Sequence, residues 1–332
     1  MQVSSRDITF DIMRGVGMTL VILGHLAHGF GVYIVPVIYT FHMPFFFILS
    51  GYFYKSKDSI TLLKRDMRSL IVPYIIVSII VLLYGFIISI LKDDYSNFKY
   101  WYDATIKMED IGPLWFLLAL FWCRQIYNFI YNRIKLNTNT KHSLLILIGF
   151  AFYCFIPYIN NFCSFNLLCI LNGFHALFYY SLGNILRERN ILQRIKLNGI
   201  TLIILILVFV ISMYYSLYGV DMGILKQNNI IMNIMVSLSS FWIIYYICNM
   251  FNGIHVVGKY IAKYGQLSIV IYTVHTIMLR IVPFEKFILI ISPGLCIQIR
   301  SIIIVLLHLI ITYYFCLYAE KNKVCQSLFN IK

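Results

Sequence analysis

Apolar residues run along this chain in stretches of about twenty, each closed off by a short polar segment. A half-buried strand would alternate, and a soluble helix would carry a single apolar stripe; these stretches are apolar on most sides. About twenty residues at 1.5 Å each span the roughly 30 Å hydrocarbon core of a bilayer. Ten stretches have that length, near 10–31, 35–54, 70–91, 113–134, 143–160, 163–185, 198–218, 228–251, 264–283 and 295–318. The pattern predicts an all-α, polytopic transmembrane bundle of about ten helices. No linker rich in Pro, Gly or Ser and no internal repeat divides it, so residues 1–332 are read as a single integral membrane domain.

Composition agrees: 61% hydrophobic and 12% charged residues exclude a soluble globular domain. A net charge of +14 would point to nucleic acid in a soluble protein. Here the basic residues fall in alternate loops and read instead as topology signals and contacts for anionic lipid or phosphate. Arg6 with segments 55–68, 133–141, 187–196, 259–263 and 321–332 holds eighteen of them. The opposite loops hold six: Lys92, Lys99, Lys107, Lys226, Lys286 and Arg300. Positive-inside asymmetry places both termini in the cytoplasm, which requires an even number of spans. The eight cysteines are scattered, without CxxC or zinc-like spacing, and read as packing residues; no metal is expected. The first apolar stretch carries Asp11 and Arg14 and does not read as a cleavable signal peptide. Segment 92–112 is acidic and aromatic, and its Tyr95, Tyr100, Trp101 and Tyr102 suit the headgroup level or, alternatively, a platform for a sugar ring.

The first span changes the picture from architecture to chemistry. Arg14 and His25 are eleven positions apart, which returns to within roughly 20° of the same helix face and separates them by about 16 Å. Asp11 lies one turn before the arginine, and His28 continues the stripe. Each arginine or aspartate near the membrane centre costs about 2.5–3.5 kcal/mol, so the stripe must face protein or a wet cavity. Asp11 and Arg14 at i, i+3 can pair and lower that cost. A structural ion pair with a core histidine is the competing reading.

Other segments add polar groups. In Phe41-His42-Met43-Pro44, the proline predicts a kink of the second span, with His42 either lining a cavity or capping the kink. Ser50-Gly51 allows close backbone approach. The basic segment with Lys64, Arg65 and Arg68 before Pro73-Tyr74 reads as a cytoplasmic loop. It touches lipid headgroups or binds phosphate, for which Arg68 is best placed. Trp115, after Gly112-Pro113-Leu114, is an interfacial anchor, a packing residue or part of a cavity wall. Ser268 and His275 share a face of the ninth span, with Tyr272 between them; interhelical hydrogen bonding is the plainer role. His175, His308 and Arg280 are given no role. Buried ionisable groups on broken helices also describe a proton-coupled or glycan-linked transporter.

Taken together these residues resemble the acyltransferase 3 family of membrane-bound O-acyltransferases. The matching pattern is Asp11-x-x-Arg14-Gly15, His25, Phe41-His42-Met43-Pro44-Phe45-Phe46, Ser50-Gly51-Tyr52, the basic segment to Arg68 before Pro73-Tyr74, Gly112-Pro113-Leu114-Trp115-Phe116-Leu117, and Tyr264-Gly265 with Ser268 and His275. The variant looks closest to stand-alone sugar O-acetylases, without a fused extracytoplasmic domain. The resemblance implies a multi-pass protein of the bacterial plasma (inner) membrane. It would move an acetyl group from cytoplasmic acetyl-CoA to a hydroxyl of a surface polysaccharide or lipid-linked sugar. On that reading Arg14, Arg65 and Arg68 meet the CoA phosphates, Asp11 holds Arg14, and the pantetheine arm runs along the first span to His25. His25 would be the general base, by direct transfer or through an acyl-histidine. Asp11, about 21 Å from His25 along the helix, is too far to orient it. The substrate pocket is assigned to His42, Ser50, Trp115, Ser268 and His275. Membrane lipid is an expected partner and nucleic acid is not.

Overall fold

The structure is a computed structural model and describes residues 7–26, 34–107, 112–162, 169–195, 198–252 and 255–329. Its helices are α1 (Ile8–Leu26), α2 (Ile34–Tyr39), α3 (His42–Tyr52), α4 (Ser59–Asp66), α5 (Val72–Lys92), α6 (Ser96–Lys107), α7 (Trp115–Arg133), α8 (Thr138–Phe162), α9 (Ile170–Glu188), α10 (Ile191–Arg194), α11 (Gly199–Ser216), α12 (Ile230–Asn252), α13 (His255–Gln266), α14 (Ser268–Ile281), α15 (Phe284–Ile291), α16 (Ile297–Lys321) and α17 (Lys323–Phe329). Among the described residues there is no strand beyond an isolated bridge between Asp221 and Lys226. Seven of the described helical segments are long and apolar enough to cross a membrane. Helices α7, α9 and α14 occupy the other three expected stretches; α7 and α9 carry more polar residues and α14 is shorter.

Helices differ in what they bury. Helix α11 leaves most of its large apolar side chains exposed, and α5 exposes Ile79, Leu83, Phe86, Ile87 and Ile90, as helices that face acyl chains would. Helices α1, α3, α7, α9 and α14 bury both apolar and polar groups in one core. Two helix pairs approach backbone to backbone, α3 with α9 and α1 with α13. A Cβ on Gly265 would lie 1.9 Å from the Asp11 carbonyl oxygen, so only glycine lets the two backbones meet there.

Three local expectations are corrected. The second span does break, but at Thr40–Phe41 and not at Pro44, which sits in the first turn of α3 where a missing N–H costs nothing. The basic segment before Pro73 is helical from Ser59, not a loop. Asp58 caps it, accepting from the amides of Ile60 and Thr61, and its contacts to Thr61 hold its carboxyl below the usual range. Because Pro73 cannot donate to the preceding turn and crowds it, residues Met67–Ile71 widen into a π-turn joining α4 to α5. The ninth stretch is two helices, broken at Leu267 between α13 and α14.

Candidate active site

Asp11 is buried on α1, and its carboxylate accepts from Arg14 Nη1 at 2.8 Å and from Gln266 Nε2 at 3.1 Å. The close contact at Gly265 is what brings Gln266, the last residue of α13, within reach. Arg14 also lies over the Phe53 ring, 4.5 Å from its centroid. A second carboxylate is held in the same way. Asp66, at the end of α4, is 0% exposed and sits between Arg124 Nη2 at 2.9 Å, Arg65 Nε at 3.3 Å and Gln125 Nε2 at 2.9 Å. The aspartates are inside, and the arginine side chains remain 19–38% exposed. All three guanidiniums line the mouth of one cavity of about 350 Å³.

The cavity runs inward between α1, α3, α7 and α14, with Phe116, Leu117, Leu120 and Arg124 on α7. On α1 it is lined by Arg14, Met18 and Val21, the i, i+4, i+7 face; on α3 by Ser50, Leu49, Phe46 and Met43; on α14 by Ser268, Ile269 and Tyr272. At its inner end Phe46, Phe116 and Tyr272 pack in series, tilted or edge-on, with Phe116 5.8 Å from Phe46 and 5.9 Å from Tyr272 between centroids. Continuing α1, α3 and α14 by one turn beyond this aromatic floor reaches a histidine: His25 on α1, His42 on α3 and His275 on α14. The rings form a chain, His42 to Tyr39 at 5.1 Å, Tyr39 to His25 at 6.2 Å, His25 to His275 at 5.6 Å and His275 to His308 at 5.5 Å. Ile38 and Tyr39 pack over Gly24, 3.3 and 3.5 Å from where a Cβ would be.

The structure brings together Asp11, Arg14, Arg65, Ser50 and Ser268 at the cavity, and His25, His42 and His275 just beyond it. The Nδ1 of His42 lies 2.8 Å from the Ile38 carbonyl across the break, which also accepts from the Phe41 amide, and its ring faces Tyr39; it is not among the residues lining the cavity. Two residues are not brought in. Arg68 is exposed and lies off the cavity wall, one turn along from Arg65 but on another face. Trp115 packs its indole against Gly223, and its neighbours Phe116 and Leu117 line the cavity instead. His28 lies outside the described residues. Sequence reasoning singled out neither Arg124, Asp66 nor Gln266. Arg124 had a signal: with Arg14 and Arg280 it is a basic residue inside an apolar stretch, and the burial cost applied to Arg14 applies equally to it. Asp66, hidden among five basic residues of segment 55–68, had none.

Among the described residues no group of three His, Cys, Asp or Glu side chains is arranged to hold a metal. Chemically the site offers fixed positive charge at one end, an apolar passage, and imidazoles at the other. A family model described as an acyltransferase domain matches residues 7–321, nearly the whole chain. No curated protein and no solved structure matches it.

Proposed function

The chain belongs to the acyltransferase 3 family and is a multi-pass membrane acyltransferase; from that premise we propose that it carries an acetyl group from acetyl-CoA to a hydroxyl of a surface polysaccharide or lipid-linked sugar. The observation that carries the reading is the single cavity that begins at Arg14, Arg65 and Arg124 and ends one helical turn short of His25. Guanidiniums suit phosphate, with which they make charge-assisted, often bidentate hydrogen bonds. A volume of about 350 Å³ is at the small end for ligand cavities and fits an extended thioester arm better than a whole nucleotide. The CoA phosphates would therefore stay at the mouth, with the arm inside. Arg124 replaces Arg68 as the third donor-binding group in this proposal. Ten spans with both termini in the cytoplasm, in a bacterial inner membrane, would put the mouth on the side where acyl-CoA is found.

Transfer then requires the arm to reach past the floor of Phe46, Phe116 and Tyr272, a distance of about 6 Å from Val21 to His25 along α1. His25 takes the proton of the acceptor hydroxyl as its oxygen attacks the thioester carbonyl. The tetrahedral intermediate collapses with cleavage of the C–S bond, and His25 returns the proton to the departing sulfur. The products are the ester and free CoA thiol, with His25 neutral again.

The test uses membranes containing the full-length protein, radiolabelled acetyl-CoA and the membrane's own glycan as acceptor. Label should enter the glycan fraction with the wild type and not with His25→Ala. Undiminished transfer by a folded His25→Ala protein would remove the base from the scheme while leaving the enzyme class intact.

A further inference from the structure

A base with two ring nitrogens needs the second one fixed, or it samples both tautomers and many orientations. The described structure brings two rings beside His25, Tyr39 and His275, and His275 is the nearer at 5.6 Å. His275 is fully buried, and neither of its ring nitrogens has a hydrogen-bond partner among the described residues. A buried polar group left unbonded is costly because it has given up water for nothing, and this ring has two. The threonine hydroxyls of α14 and α16 carry no such deficit. Thr273, Thr276 and Thr312 donate to carbonyls of their own helices, at 2.9, 2.9 and 2.6 Å.

Beyond His275 the polarity of the chain is set. His308 Nδ1 faces the Ile304 carbonyl at 3.2 Å, and a carbonyl only accepts, so neutral His308 carries its proton on Nδ1. Its Nε2 is then a lone pair, with no partner among the described residues, and its ring stands 5.5 Å from that of His275. If His275 gives its one N–H to that lone pair, its other nitrogen is an acceptor, left available to His25, whose ring centroid is 5.6 Å away. An acceptor there selects the tautomer of His25 whose N–H points to His275 and whose remaining lone pair points away from it.

We propose that His275, backed by His308, is the positioning residue of His25, holding the tautomer in which His25 is a base. The inference rests on the reading of His25 given above. An N–H···N bond needs about 2.7–3.2 Å between nitrogens, so rings 5.6 Å apart between centroids must close by roughly half an ångström, a shift on the scale of side-chain torsions. During transfer the hydroxyl proton goes to the free nitrogen of His25, and the N–H already donated to His275 helps to hold the positive charge. The proton then passes to the leaving sulfur. His275 neither gains nor loses a proton in the cycle.

The experiment compares His275→Phe, which keeps a ring but no hydrogen bond, and His275→Asn, which keeps an acceptor and a donor, in purified full-length protein. Acetyl transfer from labelled acetyl-CoA to membrane glycan and thermal unfolding are both measured. The maximal rate should fall about ten- to hundredfold in His275→Phe, with the half-saturating acetyl-CoA concentration unchanged, and recover in part in His275→Asn. The double variant with His25→Ala should be no slower than His25→Ala alone. Wild-type rate in His275→Phe beside an inactive His25→Ala overturns the positioning role and spares the base. Full activity of His25→Ala overturns both. A loss in His275→Phe matched by an equal loss of thermal stability, with no recovery in His275→Asn, assigns His275 to packing and also overturns the proposal.

Discussion

The two ends of the cavity treat polar groups in opposite ways. At the mouth, both carboxylates are surrounded: Asp11 by Arg14 and Gln266, Asp66 by Arg124, Arg65 and Gln125. Those bonds tie α1 to α13 and α4 to α7, so the charges that face the cavity are also what holds the helices in place. At the far end the imidazoles lie close together, yet His275 has both nitrogens and His308 has Nε2 without partners among the described residues. The difference separates two jobs that polar groups do in a membrane. A charge that must stay put for a ligand is braced from behind by a buried counter-charge. A base that must be held in one tautomer needs a neighbour with hydrogen-bonding capacity left over, and a fully bonded network has none.

The comparison is broken most directly at the histidine end. His25→Ala is expected to lower the rate of transfer by about 10²–10⁴-fold, the usual contribution of a positioned base, with little change in thermal unfolding. At the mouth the order reverses. Asp11→Ala strands the Arg14 guanidinium in a partly buried site, and breaking a buried pair costs about 3–5 kcal/mol at the upper end. Arg14 is 27% exposed, so the loss should be smaller than that and still readily visible as a lower unfolding temperature. Asp11→Asn, which keeps an oxygen acceptor for Arg14 and Gln266, should recover part of it. If Asp11→Ala instead leaves stability untouched and abolishes transfer, the brace is not structural and the contrast between the ends fails.

Much of this arrangement was legible because a membrane makes polar residues expensive. The stripe of Asp11, Arg14 and His25 was visible from periodicity alone, and its facing protein follows from the cost of turning it to lipid. Helix positions were legible for the same reason, since the apolar stretches fall on helices. What periodicity does not carry is which helix stands beside which. The partner of Asp11 is Gln266, 255 positions away, and it is set by backbone contact at Gly265, which no local pattern announces. Arg65 and Arg68 illustrate the same limit at short range. In sequence they are equivalent basic residues, but the π-turn at Met67–Ile71 rotates the side chains beyond Asp66, and Arg68 points away while Arg65 stays on the cavity.

That pair supplies a smaller and sharper test of the mouth. Arg65 is 38% exposed, so its attraction for a phosphate is partly screened, and one charge-assisted hydrogen bond there is worth about 1 kcal/mol. Arg65→Gln should therefore raise the half-saturating acetyl-CoA concentration about fivefold at low salt, with the maximal rate nearly unchanged and the effect shrinking as salt is added. Arg68→Gln should leave both constants where they are. Equal effects of the two substitutions would mean that donor phosphates are met by the whole basic segment and not by the cavity mouth.

The smallest effect expected lies just outside the site, at the cap that starts α4. Asp58→Ala removes the acceptor for the Ile60 and Thr61 amides and should lower the unfolding temperature slightly, by less than Asp11→Ala does. Because folding lowers the pKa of Asp58, this contribution is present above the unfolded value and fades as pH falls through the folded one. The gap between Asp58→Ala and the wild type should therefore narrow on acidification. Helix α4 ends at Asp66, so fraying from its start should reach Arg65 before it reaches Arg14. A rise in half-saturating acetyl-CoA in Asp58→Ala that is absent when Arg65 is already Gln would tie the cap to the cavity mouth through α4. Additive effects would show that Asp66, gripped by Arg124 and Gln125, pins Arg65 whatever happens at the other end of the helix.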